Sequence, residues 1–445
     1  ATTITIQSGE GTGESSAATF AKAVTGNIVL ADGAHAGSHA TVTFDGTTAL
    51  TALSGTLTTT KTDADDSFVI IADSAAGTAA AQTFSGQIGT STNKIASIAV
   101  GGANGTAGAA VFSSDVYVAA LTITSDNDTT GGAESSSVTV NGNLTATTIV
   151  LDKDTNDSTL VIAGTDTTIA GTIDGAGDAE GILQITGAGT TISGEVGLGT
   201  TSLSAIDVNA TTTFSDATEA AAYTVDADTT FTGAVLANTS TTIATSGTDV
   251  TYSAASTTGT TTLASGTTLT SAGVLTTGDL TVTSGKLYLS ENANVSDNIL
   301  LAGTGELHIG KAVASGETIN TGSTSDDNSF PATAKVYLPS NLSSGETILW
   351  VDSGAWDADG TSDVASSATA LDAILQDTAL VDYSATGDTN TLTITATNKA
   401  GGTIASELAV TSNSATALLQ AMAAMDANSA SGDTAAFTAF DNAMN

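Results

Sequence analysis

The sequence predicts an all-β chain wound as a right-handed parallel β-helix and closed by a mixed β/α cap at its C-terminal end. Three observations carry that expectation. Residues 83–100, TFSGQIGTSTNKIASIAV, return without a gap at 191–208 as TISGEVGLGTTSLSAIDV. Thr83/Thr191, Ser85/Ser193, Gly86/Gly194, Gly89/Gly197, Ile98/Ile206 and Val100/Val208 are identical, and Ile95/Leu203 is a like-for-like exchange. One unit used twice is the mark of a stacked array. Second, apolar stretches are short and alternate with threonine, which is the period of a strand with one buried face. Third, the phrase Thr168-Ile169-Ala170-Gly171 recurs as Thr191-Ile192-Ser193-Gly194, one β-helix rung further on, and again as Thr230-Phe231-Thr232-Gly233. A sandwich would instead show hairpin signals roughly every 8–12 residues.

From the N-terminus, Thr3-Ile4-Thr5-Ile6 and Leu121-Thr122-Ile123-Thr124 read as strands, as do Leu280-Thr281-Val282-Thr283 and Leu392-Thr393-Ile394-Thr395. Clusters of Gly, Asn, Asp and Ser between such stretches supply turns. Phe112–Ile123 is echoed by Phe214–Val225 with a shorter connection, and a solenoid tolerates that because its loops leave the stack laterally. The offset between Thr83 and Thr191 corresponds to about five rungs of roughly 20–23 residues. That places both copies on one face, with Gly86 and Gly194 in line. Ile95, Ile98, Val100, Leu203, Ile206 and Val208 then point inward.

The helix occupies residues 1–340 and the cap residues 341–445. In the cap, Thr347–Asp352 is a strand carrying Trp350, Thr369–Asp377 is a short helix, and Leu392–Ala396 is a strand. From Ser414 the pattern turns helical, with Leu418, Met422 and Met425 on one stripe widened by Leu419. After an N-cap at Asp433, Phe437, Phe440 and Met444 form a second stripe.

Composition limits the function. Of 445 residues only 12% are charged, and 46 Asp+Glu face 8 Lys+Arg, for a formal charge of -38. All eight cations are lysines. Such a surface cannot track nucleic-acid phosphates or dock on anionic lipid. It stays soluble by self-repulsion and collects divalent cations. The 40% hydrophobic content and regular alternation favour a folded chain over disorder, and cysteine is absent. No apolar run is long enough to span a bilayer. Beginning at Ala1 with no signal segment, the chain reads as a mature, processed product.

Residues 345–445 resemble the end of an autotransporter passenger. There, a β-helix finishes in a strand-rich folding cap, and helical segments lead on to a membrane β-barrel. Thr378–Ser384 and the strand from Thr391 to Lys399 have the cadence of such a cap. The Ser-Gly-x-Ile/Val-Gly repeats resemble passengers of large alphaproteobacterial surface proteins, including the rickettsial surface-layer type. The resemblance implies secretion to the bacterial cell surface and separation from the barrel.

Chemical motifs are sparse. His35 and His39 have i, i+4 spacing, but Gly33, Gly37 and Ser38 favour a loop over a metal-holding helix. His308 stands alone on Leu307-His308-Ile309 and reads as structural. There is no nucleophile elbow, zincin motif or phosphate loop. Without arginine, recognition of acidic polysaccharide by an enzyme is disfavoured. The acidic groups Asp63/Asp65/Asp66 and Asp326/Asp327 read as solvated turns. Calcium sites are one expectation, beside diffuse cation condensation or charge that serves solubility alone: Asp152-x-Asp154-x-Asn156-Asp157 starts like an oxygen-rich loop, though without an EF-hand's glycine and distant glutamate. Asp126/Asp128 and Asp357/Asp359/Asp363 have similar spacing.

These residues point to a non-enzymatic, structural surface protein that assembles with itself into an S-layer or filament, with Ca²⁺ as its cofactor. Its partners are further copies and the outer-membrane surface or lipopolysaccharide. An adhesin is the competing reading. Ice binding through Thr-x-Thr ladders such as Thr268-Leu269-Thr270 is a third, disfavoured by irregular rung lengths.

Overall fold

A computed structural model describes the chain except residues 1, 9–12, 32–37, 61–66, 73–78, 103–106, 126–134, 154–155, 291–292, 296–297, 311–317, 322–329, 339–341, 343–344, 353–363, 389–390 and 430–445. The chain is nearly all β, a parallel β-helix with a small cap containing helices. It divides into two compact units, Ala1–Asn238 and Thr239–Asn445.

In the first unit the described strand pairings are parallel, so like positions of successive turns stack at about 4.8 Å. One inward column runs Ile28, Leu57, Ile88, Val116, Leu144, Ile169, Ile192, Phe214 and Phe231. Every member is buried. A second runs Val42, Val69, Ile98, Leu121, Ile149, Ile173 and Val196. A third runs Leu53, Phe84, Phe112, Val140, Ile162, Ile185, Val208 and Val225. Three columns per turn mean three faces around one core. Aromatic residues thicken it: Phe84 lies edge-on to Phe44 at 4.9 Å, and Phe214 stacks flat on Phe231 at 4.8 Å.

The turns shorten along the unit. In the first column the longest step is from Leu57 to Ile88. From Leu144 onward each step is shorter than the one before, and the shortest is from Phe214 to Phe231. The last contraction has a local cause. Val196 and the strand Leu203–Val208 are separated by the 3₁₀ turn Gly199–Thr201, whereas in the next turn one strand, Thr218–Val225, carries both columns. A corner has been removed. The remaining turns close through threonine. Thr190, Thr212 and Thr229 begin the strands Thr190–Ile192, Thr212–Phe214 and Thr229–Phe231. Their hydroxyls donate to the carbonyls of Gly187, Ala210 and Ala227 at 2.7, 2.7 and 2.8 Å.

The expected five rungs between the two sequence copies are corrected to four turns and one face. From Ile88 the column reaches Ile192 in four steps, because these turns are mostly longer than the expected rung. Thr83 pairs with Val111 on the third face, but Thr191 pairs with Thr168 and Thr213 on the first. Gly86 and Gly194 therefore do not share a line. What the copies do share is a corner. The N–H of Ser85 donates to Leu53 and that of Ser193 to Ile169, each one turn back. The N–H groups of Gly89 and Gly197 donate to Leu57 and Ile173, and both glycines have φ +66°, open to glycine at little cost. Gly86 and Gly194 lie against the backbone of Gly55 and Gly171, so neither has room for a Cβ. The motif encodes how to turn, and either corner can use it. The expected inward register holds: Ile95, Ile98, Val100, Leu203, Ile206 and Val208 are all buried.

In the second unit, Val250, Leu269, Leu287, Leu307, Val336 and Leu375 form one inward column. Part of this core is polar. Thr261 sits between Thr258 at 2.6 Å and Thr277 at 2.9 Å, and Thr277 donates to the Gly259 carbonyl at 3.1 Å. All three are buried, and their hydroxyls satisfy one another.

The coil ends where pairing reverses. Thr347–Asp352 is parallel to Thr318–Thr321 on one side and antiparallel to Thr391–Asn398 on the other, and Val381–Asp388 completes the antiparallel sheet. Trp350 is fully buried with Phe330 edge-on at 5.2 Å. The cap helix is Val364–Asp372 instead of the expected Thr369–Asp377, and Leu375–Gln376 is a strand extending the column through Val336. Tertiary pairing overrides local helical pattern there. Gly401–Glu407 and Ser412–Ser429 are helices, the latter matching the helical pattern from Ser414. The stripes through Met422, Met425, Phe437, Phe440 and Met444 lie outside the described side chains. Among the described residues, no helix is long and apolar enough to cross a membrane.

Candidate functional site

The strands Lys286–Leu289, Glu306–Ile309 and Lys335–Tyr337 stack in register in the second unit. Their sequences, KLYL, ELHI and KVY, share one cadence of charge, aliphatic, aromatic. Period-two alternation buries Leu287, Leu307 and Val336 and turns the other two columns outward. One outward column is Lys286, Glu306, Lys335, and the other is Tyr288, His308, Tyr337.

The rings form a continuous stack. His308 lies 4.2 Å from Tyr288 and 4.4 Å from Tyr337, centroid to centroid, nearly parallel to both. Each flat face of the imidazole is covered by a phenol ring, leaving ring edges outward. Beside the stack, Glu306 Oε2 is 3.1 Å from His308 Nε2 and 3.3 Å from Lys286 Nζ. Burial pushes the Glu306 carboxyl up, but hydrogen bonds from His308 and Lys286 outweigh it and hold its pKa below the ordinary value. The hydrogen bond and charge of Glu306 raise that of Lys286. Burial between the tyrosines lowers the pKa of His308, against the pull of Glu306. Lys335 is exposed and has no ion pair among the described residues. The arrangement is a carboxylate shared between one ammonium and one imidazole, with a second lysine one step further along. It presents charge and hydrogen-bonding edges to a partner.

Sequence reasoning misses this face, because His308 reads there as solitary. The signal is the recurrence of charge–aliphatic–aromatic at 286, 306 and 335. Unequal spacing hides it from a fixed-period search.

The calcium candidates fare differently. Asp126, Asp128, Asp154, Asp357, Asp359 and Asp363 lie outside the described residues, as do His35, the group at 63–66 and Asp326/Asp327. Asp152 ends the strand Leu144–Asp152. Asp157 Oδ1 accepts from the N–H of Gly181 at 3.0 Å and lies 3.4 Å from Lys153 Nζ, so one oxygen already closes a turn. Among the described residues no three His, Cys, Asp or Glu side chains are grouped to hold a metal. His39 is half-buried with its ring edge-on to Phe68 at 5.1 Å, a packing role.

Compared with known proteins, the chain matches no family model, no curated protein and no solved structure.

Proposed function

We propose that this chain is a structural protein of a bacterial cell surface, secreted as an autotransporter passenger and assembling with itself into a layer or filament. The observation that carries the reading is the outward threonine column Thr168, Thr191, Thr213, Thr230 in the first unit. One residue type repeats in register at about 4.8 Å, a periodic column that a second copy can match along its length. The charge of -38 opposes such contacts at distances within about 8 Å at physiological salt. Divalent cations bridging acidic turns would turn that repulsion into attraction. Oxygen ligands, with no cysteine and three histidines in the chain, suit Ca²⁺ better than zinc or copper. The bridging set would draw on Asp152 and Asp157 together with Asp126, Asp128, Asp154, Asp357, Asp359 and Asp363. Electron microscopy of the purified chain after EGTA treatment and Ca²⁺ add-back tests this. Ordered arrays that dissolve in chelator and return with calcium are expected. Arrays indifferent to chelator would remove calcium from the account, and dispersed particles throughout would remove assembly. An adhesin is the second reading, favoured by the charged and aromatic face around His308.

A further inference from the structure

We infer that the outward face made by Lys286, Tyr288, Glu306, His308, Lys335 and Tyr337 is the point at which an acidic turn of a second copy of this chain docks. The inference rests on the assembly reading above and names the contact it would use. Charge complementarity selects the occupant. With 46 acidic residues against 8 lysines, nearly any contact between two copies sets carboxylate against carboxylate. A favourable contact needs a place where cations gather. Among the described lysines, Lys153 is paired with Asp157, and Lys399 is held with 8% side-chain exposure between Asp382 and Glu407. Lys286 and Lys335 instead share one outward column, two register steps apart at about 4.8 Å each. Glu306 between them neutralises one charge, leaving the three-residue column net positive on a strongly negative chain.

The aromatic column makes this face rigid. Stacked rings lock Tyr288, His308 and Tyr337 to one another, so little side-chain freedom is lost when a partner docks. The same stacking argues against a sugar ligand. A sugar ring packs on the open face of an aromatic side chain, and the faces between these rings are already filled. Ring edges and lysine ammonium groups suit carboxylates instead. The contact is heterologous, a basic face on an acidic turn, the class of contact that extends into filaments where the rotation between copies does not close a ring.

Sedimentation velocity over a concentration series, with calcium present, tests the inference on three forms of the full chain. Wild type should sediment faster as concentration rises. The double variant Lys286→Gln/Lys335→Gln should self-associate at least about tenfold more weakly. A control, Lys22→Gln/Lys94→Gln, changes the net charge equally on the other unit and should behave as wild type. Circular dichroism of all three establishes that they fold alike. If Lys286→Gln/Lys335→Gln assembles as well as wild type, this docking face is wrong while assembly stands. Equal weakening in the control would make net charge the cause and overturn the face. Wild type that stays monomeric at every concentration would overturn both the face and the assembly reading. Monomeric wild type that binds polygalacturonate through Lys286 and Lys335 would assign the face to a saccharide and overturn the docking of a second copy.

Discussion

The two units coil by the same parallel pairing but are held in different ways. The first is stabilised from inside, by columns of aliphatic residues thickened with Phe44, Phe84, Phe112, Phe214 and Phe231. The second replaces part of that interior with hydroxyls linked through Thr261, and places its aromatic stack outside, at Tyr288, His308 and Tyr337. An apolar interior tolerates variation in turn length, because a column needs only one well-placed aliphatic per turn. A ring stack tolerates it too, since Tyr288, His308 and Tyr337 stack across unequal turns, but a hydroxyl chain or a ring stack loses its contacts when one neighbour is replaced. The first unit accordingly contracts from the long turn between Leu57 and Ile88 to the short one between Phe214 and Phe231 without breaking its first column. Substitutions should therefore act differently in the two units.

The largest effect belongs to the first unit. Ile206→Asp buries an unpaired charge among Leu183 and Tyr223 and should cost more than about 4 kcal/mol, enough to abolish cooperative melting of that unit. An unchanged melting temperature would show that Ile206 does not face inward. Phe112→Ala, next to Phe84 at 5.6 Å, should cost about 3–5 kcal/mol by cavity formation, against about 1 kcal/mol for Ile98→Val.

Gly86→Ala and Gly194→Ala should be similarly destabilising, because each Cβ would meet the backbone of the preceding turn. Gly402→Ala, with open space around it in the helix Gly401–Glu407, should be neutral or stabilising. Equal, small effects at all three would mean that the repeat marks composition only.

Much of this is legible in the sequence, and the limits are instructive. Period-two alternation marks the strands, and Ile98 and Ile206 are inward as their pattern requires. The repeat reveals stacking but misplaces its own copies, because a corner motif carries no information about which corner it occupies. Rung counting fails for the same reason: residues inserted between faces change turn length without touching the columns. The cap helix shifts because Leu375 and Gln376 are claimed by pairing with Val336 and Tyr337, far away in sequence. His308 looks solitary because its neighbours in the stack, Tyr288 and Tyr337, lie a full turn away along the chain on either side.

Smaller effects sharpen the comparison. Thr261→Val, removing the hydroxyl between Thr258 and Thr277, should destabilise the second unit by about 1–3 kcal/mol, measured by denaturant melting. Acidification should separate the units by sign. Burial raises the pKa of Asp174, against hydrogen bonds from Thr201 and Thr172. Burial and the charge of Asp226 raise that of Asp207, against Thr224. A raised carboxyl binds its proton more readily when folded, so its cost is present at neutral pH and relieved as pH falls through the folded value. Glu306 is lowered, so its contribution is present above the unfolded value near 4.5 and lost as pH falls through the folded value. At neutral pH, Asp174→Asn should stabilise slightly and Glu306→Gln destabilise slightly, each by less than about 1 kcal/mol. Both differences should vanish in melts at low pH.

The central claim is that the chain coils with successive turns in register, and the absence of cysteine allows a clean test. Nitroxide labels at Thr168→Cys and Thr230→Cys sit on one outward column, three register steps apart although distant in sequence. Dipolar broadening in the frozen electron paramagnetic resonance spectrum should report a backbone separation of roughly 14 Å, three steps of about 4.8 Å. A separation too long to broaden the spectrum would contradict the coil.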